Sequence, residues 1–126
     1  MEFGVRGMAY LRKEKEIVEI DFPIARVWEA IFKTITALGW TIQETDEPAH
    51  QTKVKTKANF MAYASTLTVN AIVISQNVTR VMVSAETPVT TITGIVDFGR
   101  TQERIDTFLL ALSKQLSPTG AIPEKK

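Results

Sequence analysis

Between Phe22 and Trp40 the apolar residues Ile24, Val27, Trp28, Ile31, Phe32, Ile35 and Leu38 recur at intervals of three and four. That spacing draws one continuous stripe along an α-helix and does not fit an alternating strand. Pro23 suits the first turn, where its missing N–H would have no intrahelical partner anyway. Gly39 supplies a left-handed stop, and Trp40 beyond it is placed to fold back on Ile35. Glu29 and Lys33 pair across the outer face. A helix with this much one-sided apolar area predicts a sheet beneath it.

Elsewhere the period is two. Val18, Ile20 and Phe22 alternate with Ile17, Glu19 and Asp21, predicting a first strand over Glu16 to Phe22. Trp40 to Thr45 reads as a second strand, with Trp40 and Ile42 against Thr41 and Gln43, and Asp46 to His50 is turn material. Gln51 to Lys57 sets Lys53, Lys55 and Lys57 on one face and Thr52, Val54 and Thr56 on the other. Ser65 to Ser75 carries Leu67, Val69, Ala71 and Val73 on one face, Gln76-Asn77 turns the chain, and Thr79 to Glu86 returns with Val81, Val83 and Ala85 inward. Pro88 is expected to end that strand. Residues 58–64 and 89–96 fit strand or loop equally. The closing helix is expected from about Asp97 or Arg100 to Leu116, capped by Asp97 or Thr101, with a stripe of Phe98, Ile105, Phe108, Leu109, Leu112 and Leu116. Glu103 and Asp106 early and Lys114 late suit the helix dipole.

The order β-α-β-β-β-β-α predicts an α+β two-layer sandwich: an antiparallel sheet of about five strands with two helices on one face. Residues 16–116 form the expected single domain. Residues 1–15 read as an N-terminal extension, with Met8 an alternative start to Met1, and residues 117–126 as a mobile tail with almost nothing to bury.

With Pro23, Val27-Trp28 and Leu38-Gly39-Trp40 around the first helix, this order resembles the TATA-binding-protein-like β-α-β4-α arrangement. It is also similar to small prokaryotic domains in which an Asp-aromatic-Gly-basic tetrapeptide, here Asp97-Phe98-Gly99-Arg100, opens the last helix. Those resemblances imply the fold and no activity. The Pro-x-x-x-Val-Trp opening further resembles START-like helix-grip domains, which hold apolar ligands between a curved sheet and a long final helix. This chain differs from that pattern in having one long helix after the first strand and fewer strands.

Charge and composition narrow the chemistry. Fifteen basic and fourteen acidic residues leave a net charge of +1, so no global field recruits nucleic acid or an anionic membrane. Cysteine is absent, which removes disulfides, thiolate catalysis and Cys-based metal sites and suits a cytoplasmic protein. No window approaches the ~20 apolar residues of a membrane span, and the N-terminal sequence lacks a signal-peptide core. His50, the single histidine, lies in a turn without the partners that a metal or a nucleophile needs, and reads as a solvent-exposed turn residue. Asp21, Glu44, Asp46, Glu47, Glu86 and Asp97 sit near element ends, where capping and turn roles explain them. Lys53, Lys55 and Lys57 match phosphate spacing, but a solvated or protected strand explains them with less, and no aromatic platform accompanies them.

What remains is apolar residue left over after both helices are placed. Ile17, Ile72, Ile74 and Met82 fall on the sheet face away from the helices, and the two connections bring Phe60, Met61, Tyr63, Val89, Ile92, Ile95 and Val96. Such residues on a soluble domain mark a partner or ligand surface. The sequence therefore predicts a non-catalytic binding or interaction domain without cofactor or metal, self-associating as a homodimer through that face or those connections. The alternative is a small carrier that holds a lipid or other apolar molecule between sheet and helices.

Overall fold

The computed structural model describes residues 10–57, 64–89 and 100–116, in the order β1 (Tyr10–Ile20), α1 (Ile24–Leu38), β2 (Thr41–Asp46), β3 (Gln51–Lys55), β4 (Thr66–Ser75), β5 (Val78–Val89) and α2 (Arg100–Leu116). The five strands form one antiparallel sheet in the spatial order β1-β5-β4-β3-β2. Both helices lie on the same face, so the expected α+β sandwich is the fold observed.

Alternation along the strands decides what lies under the helices. Val54 on β3, Leu67, Val69 and Ala71 on β4, and Val81, Val83 and Ala85 on β5 are all buried. They meet Val27, Ile31 and Ile35 of α1 and Ile105, Phe108, Leu112 and Leu116 of α2 in one core. The stripe of α1 is the expected one, joined by Ala30 and by Thr34, whose hydroxyl donates to the Ala30 carbonyl at 2.8 Å and so needs no other partner. The two helices are tied end to end where Arg26 Nη2 donates to the Leu116 carbonyl at 3.2 Å.

Pro23 stands at the N-cap rather than inside the first turn, with extended backbone. At the other end Gly39 takes φ +73°, its N–H donates to the Thr36 carbonyl at 3.0 Å, and the Trp40 N–H donates to the Ile35 carbonyl at 3.2 Å. These two bonds make a Schellman stop, and only its left-handed residue demands glycine. Gly39→Ala is expected to lower stability by roughly 1–2 kcal/mol in urea unfolding, and Gly39→Asn by less. An unchanged midpoint for alanine would show that the stop does not constrain α1.

Several details differ from expectation for physical reasons. β1 begins at Tyr10 rather than Glu16 and pairs with β5 along its whole length, because charged residues on both faces (Lys13, Lys15, Glu14, Glu16) hid the alternation. β5 runs on through Pro88 to Val89. β4 begins at Thr66, opposite Glu86, so no strand flanks Pro88 on that side and its missing N–H need only face there. β2 is the sheet's edge, exposed throughout and bulged between Ile42 and Glu44; Ile42 lies opposite inward Val54 yet is 41% exposed at this edge. Val73 shares the inward face of β4 with Ala71, yet is 57% exposed, because the β4–β5 hairpin projects past the helices. The expected N-cap Thr101 instead lies inside α2, buried, while Asp97 and Phe98 lie outside the described residues.

Candidate functional site between the sheet and the closing helix

The register brings the end of β3, the start of β4, the end of β5, the start of β1 and the first turn of α2 to one end of the sheet. Residues 58–63 and 90–99 join the described structure at this same end. Here the apolar core gives way to hydroxyls. Thr56, Ser65, Thr87 and Thr101 are all buried, at the inward positions that the alternation of β3, β4 and β5 supplies and on the buried side of α2.

Their hydrogen bonds form one connected set. Arg104 Nη1, which can only donate, reaches Ser65 Oγ at 2.6 Å. Ser65 Oγ is thereby an acceptor, and it also hydrogen-bonds Thr87 Oγ1, where either hydroxyl can donate. Thr87 in turn meets Thr101 Oγ1 at 2.9 Å. Alongside, the Ser65 N–H donates to Thr56 Oγ1 at 2.9 Å and the Thr56 N–H to the Ser65 carbonyl at 2.9 Å. A guanidinium and three hydroxyls are thus linked in a chain that runs from Ser65 through Thr87 to Thr101 on α2. On the β1 side of the helix, Gln102 Nε2 donates to Glu16 Oε1 at 3.2 Å and to Asp106 Oδ1 at 3.0 Å. The arrangement sets hydrogen-bonding groups and a positive charge at one end of the apolar core. Among these hydroxyls, Ser65 and Thr87 have only other hydroxyls and the guanidinium as side-chain partners, and neither is a base that could activate a nucleophile.

Sequence reasoning missed this cluster. Its members lie far apart in the chain and form no motif; the one available signal was threonine recurring on the faces expected to point inward. The residues chosen from sequence fall elsewhere. Ile17 (52% exposed), Ile72 (41%), Ile74 (42%) and half-buried Met82 lie on the outer face and the β4–β5 hairpin. Phe60, Met61, Tyr63, Ile92, Ile95 and Val96 lie outside the described residues, as does the side chain of Val89.

His50 departs from its expected place in solvent. It is half-buried with φ +51°, its carbonyl accepts from the Ala71 N–H at 2.9 Å, and its ring meets Trp28 edge to face at 5.1 Å. Trp28 Nε1 donates to Glu47 Oε1 at 3.0 Å, so the β2–β3 turn closes over α1. Lys53 and Lys55 face outward, with Lys53 within 3.5 Å of Glu44. Among the described residues no group of three or more His, Asp or Glu is placed to hold a metal ion, and no helix is long and apolar enough to cross a membrane.

No protein-family model and no curated protein sequence matches this chain. Solved structures do match in shape. A truncated norcoclaurine synthase from Thalictrum flavum superposes with a TM-score of 0.66 at 11% identity, over 90% of this chain and 98% of that one. The ZhuI aromatase/cyclase from Streptomyces sp. R1128 gives 0.57 at 10% identity, over 90% and 100%. Ara h 8.0201 gives 0.61 at 10% identity, over 85% and 99%. The fold is a helix grip. Of the two resemblances drawn from the sequence, these neighbours carry the START-like one and not the TATA-binding-protein-like one. At such identities they speak for the helix grip's shape alone, with α2 as the helix gripped by the sheet.

Proposed function

We propose that this chain is a small non-catalytic carrier that holds an apolar molecule, with a polar head, between the sheet and α2. The observation that carries this reading is the buried hydroxyl chain bonded to Arg104 at one end of the apolar core. A core that needed only stability would be served as well by apolar residues there, since a buried polar group contributes little net once its desolvation is counted. Hydroxyls and a guanidinium at that end give a bound molecule donors for an oxygen-bearing head while Ile105 and Phe108 border its apolar body. Structural neighbours support small-molecule binding by this shape: one norcoclaurine synthase structure holds dopamine and hydroxybenzaldehyde.

Two probes test it. The carrier should bind N-phenyl-1-naphthylamine, neutral and apolar, and its sulfonated relative 8-anilinonaphthalene-1-sulfonate, each saturably and one per chain. Arg104→Met should weaken the sulfonated probe by roughly tenfold or more, the value of a charge-assisted hydrogen bond, and leave the neutral probe nearly unchanged. Absence of saturable binding for both probes, with native circular dichroism, would contradict the carrier reading.

A further inference from the structure

The face of the sheet away from the helices is built to meet its own copy. Cross-strand register places Ile17, Met82, Asn70 and Gln51 in one row across β1, β5, β4 and β3. On one side of that row lie Lys15, Ser84 and Thr68; on the other lie Glu19, Arg80 and Ile72. Along β1 the outward residues therefore read Lys13, Lys15, Ile17 and Glu19, basic on one side of an apolar centre and acidic on the other. We infer that two copies of this chain associate through β1, β5 and β4, about a two-fold axis lying along the Ile17–Met82–Asn70 row.

Such an axis reverses strand direction and keeps each strand opposite its own copy. Lys15 then faces Glu19 of the partner subunit, and Glu19 faces the partner's Lys15. Ser84 faces the partner's Arg80, and Thr68 faces the partner's Ile72, so no like charges meet. Ile17 and Met82 meet their own counterparts, covering an apolar residue that is 52% exposed in the single chain and a half-buried neighbour.

Asn70 supplies the second, independent observation. Its Oδ1 is shut off from solvent and has no hydrogen-bond partner. An unpaired amide oxygen on a sheet face is a cost that a single chain leaves unmet. Turning the Asn70 amide outward about its Cβ–Cγ bond frees this oxygen from its enclosed place, and on the axis two such amides bond reciprocally, a self-pairing that also fixes register. In the single chain Glu19 holds Arg80 at 2.7 Å, and this pair remains at the rim of the interface, with the partner's Lys15 added to it. Three strands give a contact at the small end of specific interfaces, so the dimer is a reversible one.

The inference is independent of ligand binding and is tested by sedimentation velocity on the full chain at about 100 µM in low salt, where a small, steered contact is still populated. The wild type should sediment as a dimer. Lys15→Glu sets acid against acid across the axis, and Glu19→Lys sets base against base, so each variant alone should be a monomer with unchanged circular dichroism. Mixed one to one, the two variants set the introduced acid of one chain opposite the introduced base of the other and recover the dimer. A monomeric wild type, a dimer that survives either substitution, or a mixture that stays monomeric would each overturn the proposal.

Discussion

Phe108→Ala lowers the unfolding free energy by roughly 3–5 kcal/mol, the range for removing a buried aromatic ring from a packed core. Phe108 is completely buried at the middle of α2 and shares the core with Ile31 and Ile35 of α1 and with the inward valines of β4 and β5. Its ring lies in the core that both helices and the central strands share, so relaxation of one element alone does not fill the space it leaves. Urea unfolding followed by circular dichroism reads the effect directly. Leu110, two residues on, is 60% exposed, and Leu110→Ala serves as the matched control with an expected change within about 0.5 kcal/mol. Equal losses for the two variants would show that α2 does not grip the sheet through the face described.

Thr87→Val is the second large effect, and it is chemical rather than steric. The substitution keeps shape and removes the hydroxyl at the centre of the chain. Ser65 loses its hydroxyl partner but keeps Arg104, and Thr101 loses the Thr87 hydroxyl bonded to it at 2.9 Å. Two buried hydroxyls that each lose one of their hydrogen bonds cost roughly 1–2 kcal/mol each, so a loss of about 2–4 kcal/mol is expected where a purely hydrophobic account predicts none or a gain. The same variant should weaken 8-anilinonaphthalene-1-sulfonate binding, because Ser65 and Arg104 lose the orientation that the chain imposes. Thermal unfolding with and without probe separates the two consequences. A variant as stable as the wild type would remove the hydroxyl chain from the structural account.

How much of this was legible in the chain depended on how much apolar contrast each element carried. α1 was readable to its last residue because seven apolar positions and one glycine specify stripe and stop together. The stripe of α2 and the alternation of β4 and β5 were readable for the same reason. The first half of β1 was not: lysines and glutamates alternate there on both faces, and only its pairing with β5 identifies it as strand. The edge position of β2 was not readable, since Ile42 lies opposite inward Val54 and is still 41% exposed. The hydroxyl cluster was hidden for a different reason. Thr56, Ser65, Thr87 and Thr101 are ordinary residues individually, and they become a site only when register aligns three strands under one helix. The apolar surplus on Ile17, Ile72 and Met82 was visible in the sequence, while the charge reversal around Ile17 needed the strand to be extended back to Lys13.

On this reading the interior between sheet and α2, rather than the outer face, takes up a small molecule. Titrating the isotope-labelled chain with 8-anilinonaphthalene-1-sulfonate and following backbone amide shifts by nuclear magnetic resonance locates the bound probe residue by residue. The expected result is saturating shifts confined to Thr56, Ser65, Thr87 and the first three turns of α2, with Ile17, Asn70 and Met82 unmoved. Shifts concentrated on Ile17, Ile72 and Met82, with the hydroxyl cluster silent, would contradict it.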